Sequence, residues 1–310
     1  MKTERKSILF AVYDSFWRVV CGGAVLLMTF NSPAQNLFVA DIGSRGIYEF
    51  APDGTQSSFV SVAPHVPSGL AFDSTGNLFV ANFSVITEIT PGGTQSTFAS
   101  GPGLLFGPGS AGMAFNSTGN LFIGSAAGSR IYEYTPDGVQ STFATGLSQI
   151  YGMAFDNTGN LFVAAGGPSS GSIYEFTPAG AESTFASGLN IPAGLAFNSA
   201  GDLFVASVYD GSIYEYTPDG VESTFATGLN LPYGLAFDSA GNLFVANRDG
   251  NNIIEITPGG TQSTFVSGLQ GPVALAFQAV TLPVPEPSAL ALLIVGTTAI
   301  IIRHRRNQAG

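Results

Sequence analysis

Three side chains with hard oxygen donors occupy one recurring position in this 310-residue chain. Asp41, Asn82 and Asn247 each follow a copy of the word L-F-V-A, and Ser or Ala follows the other copies and variants. Hard cations such as Ca²⁺ take several oxygen ligands, so these residues are candidate ligands of a divalent cation. The set contains one carboxylate and no partnered acid or base. The alternative interpretation is hydrogen bonding at strand ends, which is common for Asn and Asp.

A second candidate site consists of aromatic, apolar and charged residues in the segments that differ from copy to copy. Aromatic side chains among Gly and Pro suit an adaptable binding surface. The alternative is that these loops vary without selection. The predicted binding face contains His65, Leu104, Phe106, Tyr151, Tyr209, Asp210, Tyr233, Arg248 and Asp249.

The sequence offers little for acid–base or covalent catalysis. It has two histidines, His65 and His304, and the second belongs to the C-terminal tail. It contains no G-x-S-x-G element, no H-E-x-x-H element and no phosphate-binding loop. One glutamate recurs in every copy of the third apolar word, and sixfold repetition argues against a single catalytic role. We expect these glutamates to keep the third strand soluble or to pair with Ser and Thr of the fourth strand. No catalytic residue and no required cofactor are therefore predicted.

The element that positions these residues is a repeat of about forty residues. The word N-L-F-V-A, or a close variant, starts at residues 36, 77, 120, 160, 202 and 242. Each copy has four short apolar words separated by turn words such as D-S-T-G-N and P-D-G, which suit strands of about five residues. A lone four-stranded meander cannot bury both faces, whereas six around an axis can. The sequence predicts an all-β, six-bladed β-propeller.

The two ends of the repeat region predict closure of the ring. Residues 36–60 supply the second, third and fourth words, and residues 272–277 supply a first word with nothing after it. Pairing of these segments would complete one blade and remove an open strand edge. Closure would also bring Asp41, Asn82 and Asn247 into adjacent blades. The loops that join strands 4 to 1 and strands 2 to 3 share one face of such a disc, and the variable residues all fall there.

The repeat resembles a known propeller family. The stretch G-L-A-F-D-S-A-G-N-L-F-V-A-N, followed by I-I-E-I-T-P-G-G, resembles the NHL-type repeat and the gluconolactonase-like and streptogramin-lyase-like propellers. The resemblance covers about residues 36–278 and implies the fold rather than one activity. A gluconolactonase-like propeller implies a divalent metal in the channel, here on Asp41, Asn82 and Asn247. A streptogramin-lyase-like mechanism implies a histidine with a partnered carboxylate and a metal, which the sequence does not show.

The N-terminal segment has the plan of a secretory signal. Basic residues between Lys2 and Arg18 precede the apolar run from Val19 to Phe30, and Ser32-Pro33-Ala34 follows. We predict a signal peptide over 1–34, cleaved by signal peptidase. An uncleaved membrane anchor is the alternative, although the apolar run is short for a span.

The C-terminal segment has a tripartite plan. A Pro-rich linker over 279–288 contains Val284-Pro285-Glu286-Pro287, and an apolar stretch with a basic end fills 289–310. This plan resembles the PEP-CTERM sorting signal of Gram-negative bacteria. The resemblance implies recognition by an exosortase, transient anchoring in the membrane and removal of the tail. A permanent anchor is the alternative.

The cysteine count and the charge limit the kinds of molecule that the domain can bind. The single cysteine, Cys21, lies in the predicted signal, so thiol chemistry does not hold the propeller together. Residues 35–285 contain three basic residues, Arg45, Arg130 and Arg248, against 18 acidic ones, a net charge of about −15. Such a domain repels nucleic acid and anionic lipid, because phosphate binding needs clustered Lys and Arg. Membrane contact is expected only through the C-terminal segment.

These observations predict an exported, non-enzymatic propeller, monomeric and located in the cell envelope or outside the cell of a Gram-negative bacterium. It would bind polysaccharide or protein through its variable loop face, as a surface or matrix module over 35–278. The alternatives are a metal-dependent gluconolactonase-like hydrolase or streptogramin-lyase-like enzyme, and a structural spacer without a ligand.

Overall fold

Six four-stranded antiparallel sheets form the body of the protein in the computed structural model. The structure describes residues 35–63, 65–101, 104, 106, 112–125 and 129–278, together with the backbone of two short N-terminal strands. Those strands, β1 (Arg18–Cys21) and β2 (Ala24–Leu27), pair only with each other. The rest of the predicted signal peptide, the linker 279–288 with its sorting motif and the tail 289–310 lie outside the described residues.

Five blades each consist of four consecutive strands with the first one innermost, and one blade takes its innermost strand from the end of the repeat region. The remaining strands are β3 (Leu37–Asp41), β4 (Gly46–Phe50), β5 (Gln56–Ser61), β6 (Pro67–Phe72), β7 (Leu78–Asn82), β8 (Val85–Ile89), β9 (Gln95–Ser100), β10 (Met113–Phe115), β11 (Leu121–Ser125), β12 (Arg130–Tyr134), β13 (Gln140–Thr145), β14 (Ile150–Phe155), β15 (Leu161–Ala165), β16 (Gly171–Phe176), β17 (Glu182–Leu189), β18 (Pro192–Phe197), β19 (Leu203–Ser207), β20 (Ser212–Tyr216), β21 (Glu222–Ala226), β22 (Pro232–Phe237), β23 (Leu243–Asn247), β24 (Asn252–Ile256), β25 (Gln262–Ser267) and β26 (Pro272–Phe277).

Blade 1 confirms the predicted closure. Its strand order is β26-β3-β4-β5, so the last strand of the chain lies innermost beside β3. Leu275 pairs with Val39 and Ala276 pairs with Phe38 in an antiparallel register. Blades 2 to 6 are the consecutive sets β6–β9, β10–β13, β14–β17, β18–β21 and β22–β25. The six-bladed propeller predicted from the sequence is therefore confirmed.

Burial follows the words of the repeat. The second strand of a blade lies between neighbouring blades, so both of its faces are covered and L-F-V-A is buried throughout, as in β7 and β23. The fourth strand lies outermost, and its polar word Q-S-T-F-A is largely exposed, as in β9. A continuous apolar word for the second strand and a mixed word for the fourth are what these positions require.

Phenylalanines connect adjacent blades. Phe162 of β15 lies edge-on to Phe185 of its own blade and to Phe197 of the next blade, with ring centroids 5.1 Å apart in both pairs. Equivalent triads occur at four further blade junctions. Edge-to-face pairs add about 0.5–1.5 kcal/mol each beyond their buried area. These contacts give five of the six junctions the same geometry and help to fix the angle between blades.

The repeated glutamates have a structural partner that the sequence did not reveal. In four blades the Asn that begins N-L-F-V-A donates its side-chain N–H to the Glu of the third strand, at 2.7 Å for Asn36–Glu49 and 2.9 Å for Asn77–Glu88. The same bond forms at Asn120–Glu133 and Asn160–Glu175. We expected these glutamates to keep the third strand soluble or to pair with Ser and Thr of the fourth strand. In these four blades they tie the second strand to the third.

The buried phenol of Tyr134 predicts a loss of stability at alkaline pH. Tyr134 is 3% exposed and packs against Phe98. Burial, with a smaller contribution from Tyr132, raises its pKa to about 12. The pKa of this tyrosine is near 10 in the unfolded state and about 12 in the folded state. Its contribution to stability is therefore fully present below pH 10 and is lost as the pH rises through 12. We expect the free energy of unfolding of the wild type to fall by about 2 kcal/mol more than that of Tyr134→Phe between pH 9 and pH 12.

Urea unfolding at each pH measures this difference. Tyr209→Phe, a change at a surface ring, serves as the matched control and should follow the wild type. If the free energies of unfolding of wild type and Tyr134→Phe fall in parallel with pH, the folded state does not raise the pKa of Tyr134.

Candidate functional site

The variable loops lie together on one face of the disc, which we call the loop face. It carries the loops from strand 4 to strand 1 and from strand 2 to strand 3, and backbone bonds join the two kinds. Val208 N donates to Ile191 O at 3.1 Å, and Arg248 N donates to Leu231 O at 3.2 Å. The opposite side, the turn face, carries the D-S-x-G-N and P-x-G turns. The loop face is thus a connected surface.

Charge is divided unequally between the two faces. Within the described part of 35–278, fifteen of the eighteen carboxylates lie on the turn face or at the strand ends next to it. The loop face holds the other three carboxylates, Asp41, Asp210 and Asp249, and also all three arginines, Arg45, Arg130 and Arg248. The loop face is therefore close to neutral in a strongly acidic domain. Sequence reasoning gave the total charge but missed this division, because it needs the strand directions.

The axis of the propeller is tightly packed at the level of a ring of small residues. Five inner strands carry Gly at this position, and β26 carries Ala274. A Cβ atom on Gly152 would lie 2.0 Å from Ala193 O, and one on Gly194 would lie 2.1 Å from Tyr233 O. The inner strands thus approach backbone to backbone. A cavity of about 210 Å³ lies between the inner strands at the level of this ring, with Ser68, Tyr151, Ala193 and Tyr233 in its wall.

Three tyrosines gather at one side of this cavity. Tyr151 and Tyr233 line it, and Tyr209 follows β19 on the loop face with 59% of its surface exposed. Burial and the neighbouring phenols of Tyr233 and Tyr209 raise the pKa of Tyr151. Tyr151 and Tyr233 also pack against a small cluster of Ile191, Ala193 and Val208. We call Tyr151, Tyr209 and Tyr233 the tyrosine cluster. It brings together residues of blades 4, 5 and 6.

Arg248 is held against this cluster. Its guanidinium carbon lies 5.3 Å from the centre of the Tyr233 ring, and Nη1 donates to the Tyr233 hydroxyl at 3.3 Å. Asp249 lies 3.9 Å from Arg248 Nε, a weak ion pair at the surface. A cation over an aromatic face contributes about 0.5–1 kcal/mol at exposed sites, so the contact favours one orientation of both side chains.

Asp210 organises the neighbouring loop. Its carboxylate accepts hydrogen bonds from Ser207 Oγ at 2.6 Å, Asn190 Nδ2 at 3.0 Å and Tyr214 Oη at 3.3 Å. Burial alone would raise the pKa of Asp210, but these three bonds outweigh it and hold the pKa below its ordinary value. Asp210 stays ionised and fixes the loop that carries Tyr209.

Two residues of the predicted binding face are buried, and that part of the prediction is corrected. Leu104 is 2% exposed and Phe106 is 4% exposed, and both belong to a core cluster with Phe79 and Met113. Leu104 occupies the place that Leu147 has in the next blade, where the chain passes from strand 4 to strand 1. The insertion in this loop hides the correspondence in the sequence. These side chains fill the core and are not available to a ligand.

His65 lies apart from the tyrosine cluster. Its ring stacks on Phe83 with a centroid distance of 6.1 Å, and Phe83 is 54% exposed. Both residues belong to the loops of blade 2, while the tyrosines belong to blades 4, 5 and 6. The loop face therefore has two separate aromatic sites rather than one continuous rim.

The three candidate metal ligands are buried and engaged in their own blades. Asp41 Oδ1 accepts from Ser44 N at 2.8 Å and Ser44 Oγ at 2.7 Å, and Oδ2 accepts from Gln270 N at 2.6 Å. Asn247 Oδ1 accepts from Asn230 N at 2.6 Å. In both cases the side chain ties the loop after strand 2 to the loop that precedes strand 1 of the same blade.

Asn82 differs from the other two. Its Nδ2 donates to Thr87 Oγ1 at 3.1 Å, and its buried Oδ1 has no hydrogen-bond partner among the described residues. The described residues contain no group of three His, Cys, Asp or Glu side chains arranged to hold a metal. The side chains of Asp41, Asn82 and Asn247 therefore do not form a preorganised cation site. Cation binding at Asp41, Asn82 and Asn247 stays a prediction.

The hydrogen bonds of Asp41 predict a structural cost for its removal. Asp41→Ala removes a charged acceptor from the N–H groups of Ser44 and Gln270, and part-buried hydrogen bonds to a charged group contribute about 1–3 kcal/mol each. We expect a loss of about 2 kcal/mol in the free energy of unfolding, measured in urea. Asp41→Asn, which restores the amide found at Asn247, should lose less than half as much. A calcium-dependent rise in Tm in the wild type that is absent from Asp41→Ala would instead identify a metal ligand.

Larger clefts occur on the turn face but repeat with the blades. Clefts of about 640 Å³ and 620 Å³ lie between blades 5 and 6 and between blades 4 and 5. Their walls are built from the same turn residues and the same Phe triads, and smaller versions occur at two other junctions. Such clefts follow from the splay of adjacent blades. The features that occur only once are on the loop face.

Solved structures of similar fold include a member of a protein–protein complex, a protein of unknown function and a lyase. The chain is similar to a propeller in the crystal structure of a nidogen/laminin complex, with TM-score 0.71, 19% identity and coverage of 79% of this chain and 98% of that one. A protein of unknown function from Bacteroides caccae gives TM-score 0.63, 17% identity and coverage of 80% and 100%. Virginiamycin B lyase from Staphylococcus aureus gives TM-score 0.58, 16% identity and coverage of 75% and 81%.

The sequence matches no protein-family model and no curated protein. Within the described residues, no helix has the length and apolar character needed to cross a membrane. At identities below 20%, the structural likenesses establish architecture alone. The chain is a six-bladed β-propeller whose fold is shared by proteins of different functions.

Proposed function

We propose that this protein is an exported binding module that recognises a partner at the cell surface or in the extracellular matrix through its loop face, without catalysis. The tyrosine cluster carries this proposal. Tyr151 and Tyr233 lie near the start of the inner strands of blades 4 and 6 and line one cavity, and Tyr209, in the loop after β19 of blade 5, is close to Tyr151. Aromatic side chains with polar tips are the groups that protein surfaces most often use for recognition.

The charge division supports the same face. A partner that approaches the turn face meets fifteen carboxylates, whereas one that approaches the loop face meets a balanced set of charges. Long-range repulsion of anionic partners is therefore weakest at the loop face. Binding there would also leave the repeated turns free of any functional constraint other than folding.

Export remains part of the proposal. The signal over 1–34 would direct the chain through signal peptidase, and the motif at Val284–Pro287 would lead to an exosortase and removal of 289–310. The resemblance to NHL-type repeats and to PEP-CTERM signals supports this route. Mass spectrometry of the secreted protein tests it: the expected mature chain begins after Ala34 and lacks the tail. A secreted form that still carries residues 289–310 would contradict processing.

If the loop face binds the partner, substitution of the tyrosine cluster should weaken binding. In a sedimentation assay of the labelled full-length chain with isolated envelope and matrix material, Tyr151→Ser/Tyr209→Ser/Tyr233→Ser should lose at least tenfold in apparent affinity. Asp219→Asn/Glu222→Gln, a double change on the turn face, serves as the control and should bind like the wild type. Tm and circular dichroism would verify the fold of each variant. Equal binding by the tyrosine variant, or loss only in the turn-face variant, would contradict the proposal.

The enzymatic alternatives have less support in the geometry. A gluconolactonase-like or streptogramin-lyase-like reaction would need accessible metal ligands. The side chains of Asp41, Asn82 and Asn247 are buried. Turnover of a lactone or a streptogramin that depends on added divalent metal and is lost in Asp41→Asn would establish that alternative.

A further inference from the structure

We propose that the tyrosine cluster and the cavity beside it form a subsite for one ring of a neutral glycan. This rests on the proposed binding role of the loop face and names the chemical class of its ligand.

The site presents a flat apolar surface with a polar edge. Tyr209 is the most exposed ring of the cluster, and its loop is fixed by the bonds of Asp210 to Ser207, Asn190 and Tyr214. One face of a pyranose ring consists of C–H groups that carry partial positive charge. These groups match the negative face of an aromatic ring, while hydroxyl groups project from the edge. An exposed phenol ring on a loop that is held in place suits such a face.

The surroundings supply partners for sugar hydroxyls. The backbone of the inner strands, including Gly152 and Gly194, lines the cavity of about 210 Å³. Asn190 Oδ1, next to the loop of Tyr209, is buried and accepts no hydrogen bond from a described residue. A buried acceptor without a partner is uncommon, so this loop has hydrogen-bonding capacity left to satisfy. The volume is below the range of about 300–1,000 Å³ that is typical of sites for drug-sized ligands, so it admits one ring rather than an extended molecule.

Charge selects a neutral ligand over an anionic one. The domain carries about −15, and among the described residues the only cation beside the cluster is Arg248. Its guanidinium already covers the Tyr233 ring and bonds to the Tyr233 hydroxyl. A uronate or sulfated sugar would need a free cation to offset the repulsion of the domain. A peptide anchor would need a deeper apolar pocket than the small cluster around Ile191 provides.

Calorimetric titration of the full-length chain tests the ligand class. The probes are neutral gluco-, manno- and galacto-oligosaccharides, oligouronates of the same length, and a set of unstructured peptides. At least one neutral series should bind. Tyr209→Ala should weaken that binding about tenfold, because it removes the stacking surface, whereas Tyr209→Phe should stay within about threefold. Phe83→Ala, an exposed aromatic in blade 2 on the same face, is the matched control and should leave the affinity unchanged.

The outcomes separate this inference from the proposed function. Binding of oligouronates or peptides alone, with the same dependence on Tyr209, overturns the neutral glycan and leaves the loop face as the binding surface. Neutral-glycan binding that is equal in Tyr209→Ala and wild type overturns the subsite. Failure of every probe, together with retained matrix binding by the triple tyrosine variant, overturns both proposals.

Discussion

Gly152→Ala is expected to lower the free energy of unfolding by about 3 kcal/mol, because the new methyl group would stand 2.0 Å from the carbonyl oxygen of Ala193. The obstacle is backbone in the neighbouring blade, which cannot rotate away as a side chain would. Relief requires blades 4 and 5 to separate, and separation disturbs the Phe162–Phe197 contact at the same junction. The change adds apolar volume, so a hydrophobic-burial argument alone would predict no loss.

Gly259→Ala is the matched control for this experiment. Its Cβ would meet only Thr257 Oγ1 at 4.0 Å, and the same turn in blade 4 already carries Ala179. Urea unfolding should give a change within about 0.5 kcal/mol for the control. A loss below 1 kcal/mol for Gly152→Ala would show that the inner strands can move apart at this ring with little loss of stability. Substitution of Ala274 by Gly, the reverse change in blade 1, should be tolerated.

A disulfide between positions 40 and 274 is expected to stabilise the fold by up to about 5 kcal/mol. Ala40 and Ala274 pair across β3 and β26, so their Cα atoms lie within the range that a disulfide bridges. The bridge would close a loop of about 235 residues, and the entropy removed from the unfolded chain grows with loop length. Ala40→Cys/Ala274→Cys in a Cys21→Ser background makes this test free of other thiols.

Oxidised protein should migrate faster than reduced protein in a denaturing gel, and its Tm should fall to the wild-type value when dithiothreitol is added. Ala164→Cys/Ala274→Cys is the control, because position 164 holds the same word in blade 4 but does not face β26. Spontaneous oxidation of the control pair, or failure of the 40–274 pair to oxidise, would count against the closed ring.

The fold was predictable from the sequence because the repeat words encode it directly. L-F-V-A is apolar throughout since the second strand is covered on both faces, and Q-S-T-F-A is mixed since the fourth strand lies outside. The half-repeats at 36–60 and 272–277 had only one way to complete each other. Comparison of copies also separated the invariant turn face from the variable loop face.

The site was less predictable, because its geometry depends on details that the repeat does not encode. Leu104 appeared to belong to a variable loop, but the structure places it in the core, and only the insertion before it hid its equivalence to Leu147. Tyr151, Tyr209 and Tyr233 were identified singly, whereas their proximity depends on how two inner strands and the loop after β19 are arranged around the axis. The left-handed backbone at Ile191, with φ of 54°, helps to shape this surface and has no signature in a β-branched residue.

The unequal placement of carboxylates has a consequence for how the molecule settles on charged supports. A disc with fifteen acidic groups on one side and a neutral opposite side has a large electric dipole along its axis. On an anion-exchange resin it would adsorb flat, acidic side down, with every phenol of the cluster pointing outward. Beside a negatively charged bacterial envelope the same dipole would turn it over, so that the tyrosines approach first.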